Sequence, residues 1–147
     1  MFQPSRDQAR RFFIGAWHRY RRKQPLEPLE ALAVEHILRH PEYHSLLEDE
    51  EGSLAGEWPP ELGQTNPFLH LGLHLSISEQ LSIDQPVGIV ARYQTLLYRL
   101  GDEHAAQHAV MDCLVEMIWQ AQRYDRPPDG AAYLACLEGK RGPCKVG

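Results

Sequence analysis

The sequence predicts an all-α protein, a single-domain bundle of five to seven helices. Helix starts are marked again and again by Pro, Asn and Asp, and apolar residues recur at three- and four-residue steps. No stretch alternates apolar and polar residues as a half-buried strand would. At 147 residues the chain can bury roughly 70% of its unfolded surface in one core.

Ser5 followed by Gln8 is a capping-box pattern, opening a helix that runs to about Lys23, where Pro25 ends it. Phe12, Phe13, Ala16 and Trp17 form its packing face, with Tyr20 at helical spacing from Trp17, and its arginines are expected to point outward. Pro28 suits the first turn of a second helix, LEALAVEHILRH, and Pro41 restarts a short third, EYHSLLEDE. Residues 50–65, EEGSLAGEWPPELGQT, hold three glycines and two prolines without a period and read as a loop. Asn66 then caps, with Pro67 as first residue, a helix through about Leu81. Pro86 opens VGIVARYQTLLYRL, which stops at Gly101, and Asp102 caps the longest helix, through about Arg123. The turn YDRPPDG leads into a last helix, AAYLACLEGK. Residues 1–140 are read as the domain and 141–147 as a flexible tail.

Composition narrows the class. No run approaches the ~18 apolar residues of a membrane span. The N-terminus has arginines where a secretory signal has its apolar stretch, so export is not expected. Cys113, Cys136 and Cys144 are odd in number and lack C-x-x-C spacing. The expectation is no disulfide framework and a reduced cytoplasm. Charge is uneven, for the first 23 residues carry seven basic side chains against Asp7 alone, while the remainder carries eight basic and 19 acidic. Such an arm can seek an anionic partner. Residues 6–23 lack the turn geometry of a recognised nucleic-acid module, so the expectation is a first helix that pairs with the acidic body or is solvated.

The histidines carry the functional signal. Seven of eight fall into i, i+4 steps, His36–His40–His44, His70–His74 and His104–His108. Random placement would give about 0.4 such pairs, and four are present. Side chains four apart stack on one helix face, so two imidazoles can reach a common ion. At 100° per residue, His70 and His74 sit between Ile77 and Leu81 on one side and Leu71 and Leu75 on the other, the middle of an apolar arc. His104 and His108 lie beside Met111, Val115 and Trp119, and His36 and His40 share a face with Leu29, Leu32 and Ala33. Inward histidines from separate helices converge, as in the metal sites of bundles.

The expected ligands are therefore His70, His74, His104 and His108, with His44 or His40 adding one from a third helix and Asp112 and Glu116 as carboxylate candidates. The stripe His104, His108, Asp112, Glu116 spans about 18 Å, too long for one ion, so only part of it can serve one site. Such donors suit a divalent transition metal, namely zinc, iron, nickel or manganese. Several other sites are missing from the sequence. It has no Glu-x-x-His pair of the ferritin type, no H-E-x-x-H motif, no P-loop, no G-x-S-x-G and no Rossmann glycine fingerprint.

The strings FQPSRDQARRFF, HPEYHSLLED, TNPFLHLGLHLSISEQLSIDQP and GDEHAAQHAVMDCLVEMIWQAQR make the chain resemble an uncharacterised family of short bacterial proteins, a domain of unknown function. The resemblance covers most of residues 2–137 and implies a cytoplasmic bacterial protein. It brings no mechanism, and Asp112 departs from the glutamate associated with that position. Hemerythrin-like and DinB-like bundles offer an architectural analogy alone.

Two functions follow from these residues. The favoured one is a metal-binding bundle, with the ion structural if the site is closed and catalytic if a coordination position stays open. The other is a non-enzymatic module for a protein partner, in which the histidines form a hydrogen-bond network without metal. An exposed Trp58 in the 50–65 loop would be its anchor.

Overall fold

The computed structural model describes residues 6–58 and 66–140. Among these residues all regular structure is helical and there is no strand, in line with the all-α expectation. The eight α-helices are α1 Arg6–Arg21, α2 Pro28–Leu38, α3 His44–Glu48, α4 Glu50–Ala55, α5 Pro67–Ile83, α6 Ile89–Leu100, α7 Glu103–Arg123 and α8 Gly130–Gly139, with a 3-10 turn at Pro41–Tyr43. They exceed the expected five to seven because the stretch 42–55 folds as two short helices. Ser5, the part of the expected loop after Trp58 and the tail 141–147 lie outside the described residues. The chain divides into two compact units, one ending at Leu75 and the other beginning at Ser76, within α5.

In the first unit, α1 packs on α2, α3 and α4. Phe13, Ile14, Ala16 and Trp17 meet Ala33, Val34, Ile37, Leu47, Phe68 and Leu71 in the core. Phe12 is only partly buried and Tyr20 is exposed. Glu27 caps α2 in a reciprocal capping box with Glu30, whose other carboxylate oxygen accepts from Arg19 of α1 at 2.6 Å. Glu48 at the end of α3 accepts from Trp17 Nε1 at 3.3 Å and from Arg21. Arg6 and Arg11 reach Glu57 and Glu50. The basic arm thus pairs largely with the acidic body. Exposed pairs of this kind contribute only about 0–1 kcal/mol each, so they orient α1 more than they hold it.

Arg10 corrects the expectation that the arginines of α1 all face outward. It is 4% exposed, and its Nη1 donates to the carbonyls of Ser53 and Gly56 at 2.9 Å and of Leu54 at 3.3 Å. These are the orphaned carbonyls at the C-terminus of α4, and a guanidinium can serve several at once. Residues 50–55 were expected to be loop. They fold because Asp49 caps the N-terminus, accepting from Gly52 N at 3.1 Å, and Arg10 caps the other end. Trp58 is half-buried rather than exposed, lying against Phe68 at 6.0 Å and under Arg10 at 5.0 Å. That removes the anchor on which the interaction-module reading leaned.

In the second unit α6, α7 and α8 pack mutually around Ile89, Leu96, Val110, Leu114, Tyr133 and Leu137. Asp102 and Asp129 cap α7 and α8 by accepting from Ala105 N at 2.8 Å and Ala132 N at 3.0 Å. Asn66 likewise caps α5 through Phe68 N at 2.9 Å. Helix α6 begins at Ile89, three residues later than Pro86 suggested. Gly88 has φ +100°, a left-handed conformation that a right-handed helix cannot include, and Gly101 at φ +71° ends the helix. Asp84 supports this start, its carboxylate accepting from Val90 N at 3.0 Å and Gly88 N at 3.2 Å.

One expectation fails in this unit. Cys113 of α7 and Cys136 of α8 form a disulfide, with Cα atoms 5.8 Å apart. Their separation of 23 residues carried no local signature. It is the pairing of α7 with α8 that brings the two sulfurs together.

Two outcomes test these contacts. Arg10→Ala leaves carbonyls of α4 without their donor, and thermal or urea unfolding should show a loss of about 1–3 kcal/mol, with Arg10→Lys restoring part of it. The N–H groups of Val90 and Gly88 hold the Asp84 carboxyl below its usual range. A lowered folded pKa stabilises above the unfolded value of about 3.9 and is lost as pH falls through the folded value. Asp84→Ala should therefore melt below the parent protein at pH 7, with the difference closing in strong acid.

Candidate functional site

The site begins at the C-terminus of α2, where helical carbonyls lack intrahelical partners. His36 O accepts from Arg39 N and also from His40 Nδ1 at 2.7 Å. Ile37 O accepts from His40 N and also from His44 Nε2 at 2.9 Å. With Nδ1–H donating, the neutral His40 ring carries its lone pair on Nε2, the arrangement by which a backbone carbonyl commonly orients a metal-ligating histidine. Pro41 follows directly, so the chain turns through a 3-10 segment and holds His40 at its start. Tyr43 stacks on the His40 ring at 5.3 Å, and burial raises its hydroxyl pKa, keeping it a neutral phenol near pH 7.

Helix α5 supplies the next pair. Asn66 and Pro67 set its start, and Leu71 and Leu75 bury its apolar face, which carries His74 to 0% exposure. His70 is half-buried one turn earlier. Four imidazoles gather here within the first unit. His36 stacks on His74 at 4.8 Å, His40 lies 5.1 Å from His74, and His70 packs edge-on against His40 at 4.9 Å and His74 at 4.8 Å. Both His36 and His40 are buried.

Helix α7, capped by Asp102, places His104 and His108 one turn apart with ring centroids 4.1 Å from each other. Both are half-buried, while Val110, Cys113 and Leu114 behind them are buried. One ligand atom from each of His40, His74, His104 and His108 lies within 4.8 Å of the other three. Four imidazole nitrogens converging in this way are a donor set for a transition ion, or the members of a hydrogen-bond network.

The other sequence candidates fall elsewhere. His70 packs against His40 and His74 and is not one of the four. His44 uses Nε2 on the Ile37 carbonyl and packs its ring on Trp17 at 4.3 Å. Asp112 is exposed and pairs with Lys140 at 3.4 Å, because it projects from the solvent side of α7. Glu116, also exposed, accepts from Gln120 one turn on. His36 was not named as a ligand candidate, yet it is the ring stacked on His74. Its i, i+4 relation to His40 was the signal that pointed to it.

The likeness to known proteins can be set beside this geometry. No curated protein and no solved structure matches the chain. Residues 5–139 match the family described as Domain of unknown function (DUF1841), which takes in every histidine of the cluster, and the chain belongs to that family.

Proposed function

We propose that this protein binds one divalent transition ion through His40, His74, His104 and His108. The observation that carries this reading is the convergence of four imidazole nitrogens within 4.8 Å. Around a tetrahedral ion with metal–nitrogen bonds of roughly 2.0–2.1 Å, the ligand nitrogens stand about 3.4 Å apart. Binding therefore needs the imidazoles to draw together by side-chain rotation. The hydrogen bond from His40 to the His36 carbonyl supports the reading by presenting Nε2 to the ion.

Four neutral imidazoles suit zinc, iron or nickel better than manganese, which favours carboxylate and water oxygens. Asp112 and Glu116 are turned to solvent, which leaves the four imidazoles as the donor group. His104 and His108 are half-buried, so an open coordination position would lie on their side. Whether the ion is structural or catalytic depends on that position. No helix among the described residues is long and apolar enough to cross a membrane. A bacterial cytoplasm is the setting this reading takes from the family likeness. In that compartment a disulfide such as Cys113–Cys136 would be transient and redox-active.

Elemental analysis of the purified protein should find close to one ion per chain, and chelation should remove it and lower the melting temperature. His74→Ala and His108→Ala should each reduce metal content and the melting temperature, whereas His18→Ala should change neither. Protons compete with metal for imidazole, whose reference pKa is about 6.5, so affinity should fall as pH drops below about 6. A stable protein without stoichiometric metal, unaffected by chelator, would leave the hydrogen-bond network as the correct account of the cluster.

A further inference from the structure

A cavity of about 220 Å³ opens beside the disulfide of the second unit and is lined by both of its cysteines. Met117, Ala121, Pro127 and Tyr133 give it an apolar wall. The phenol of Tyr133 is anchored by donating to Gln80 Oε1 at 2.7 Å, so that part of the wall is held in place. The volume falls below the ~300–1,000 Å³ of ordinary ligand pockets, which suits a small molecule or one arm of a larger one.

The two cysteines are not equally exposed. Cys113 is 1% exposed, sealed in the middle of α7, whereas Cys136 on α8 is half-buried. Disulfide exchange requires a thiolate to reach one sulfur, and access decides which sulfur is attacked. A disulfide that lines a cavity and has one cysteine more exposed than the other is therefore addressable by a small thiol.

We propose that Cys113–Cys136 is a thiol-exchange site, at which a low-molecular-weight thiol enters the cavity and forms a mixed disulfide with Cys136. The incoming thiol loses its proton to solvent, and its sulfur forms a bond to Cys136 Sγ. The Cys113–Cys136 bond breaks, and its electron pair leaves on Cys113 Sγ, which takes up a proton from water. One disulfide is consumed and one is formed, so no outside oxidant is needed. The product is a chain thiolated on α8, with a buried thiol on α7 placed to reverse the reaction. The inference does not depend on metal binding, since it concerns other residues and another reaction.

The test uses the full chain with Cys144→Ser, leaving the disulfide as its sole cysteine pair. The protein is treated with reduced glutathione, quenched with iodoacetamide and mapped by peptide mass spectrometry. Glutathione is expected on Cys136 and the alkyl label on Cys113, by a ratio of about tenfold or more. The reverse distribution, an even one, or no adduct under conditions that reduce an exposed disulfide would overturn the proposal. So would recovery of both cysteines as thiols from protein alkylated at lysis and never reduced. Ala121→Leu narrows the cavity without touching either sulfur and should slow adduct formation several-fold, while circular dichroism reports that the helices are intact. An unchanged rate in that variant would show that exchange proceeds without the cavity and would sink the assignment.

Discussion

A buried imidazole needs hydrogen-bond or metal partners, and a helical backbone has few to spare, because its interior carbonyls are already bonded along the helix. This constraint governs where the histidines of the chain can go. The carbonyls at the C-terminus of α2 are an exception to the shortage, since they have no partner further along the helix. His40 and His44 use them, sharing the carbonyls of His36 and Ile37 with backbone N–H groups. Pro41 makes this possible by ending α2 where it does. A longer helix would have consumed those carbonyls and swung His40 round with the backbone.

The same accounting explains α1. Its basic composition suggested an arm for an anionic partner, yet Arg10 is spent inside the protein on the carbonyls that close α4. A guanidinium cannot lose its charge at physiological pH, so burying it requires a dense set of acceptors. Three carbonyls together with the faces of Trp58 and Phe68 supply that environment. The arginines that remain at the surface mostly meet glutamates from α2, α3 and α4, and local charge asymmetry becomes a docking pattern within the first unit.

The second unit is held differently. Its helices are capped by aspartates at α7 and α8, and a covalent bond joins those two helices. The two cysteines differ in burial, and a cavity lies beside both of them.

Helix class and most helix starts were determined by the sequence alone. Asn66 and Asp102 cap because a short polar side chain satisfies the first backbone donors locally, and Gly101 stops α6 because it tolerates a left-handed φ. The pairing of His70 with His74 and of His104 with His108 was legible for the same local reason, a turn of 3.6 residues. Short helices of low intrinsic stability were not legible, since α4 exists through Arg10, 43 residues away from Ser53 in the chain. Nor could periodicity decide that His40 rather than His70 completes the four-histidine group, that Asp112 faces solvent, or that Cys113 meets Cys136. Those outcomes depend on how helices pack, and packing energy is summed over residues distant in sequence, which no local pattern encodes.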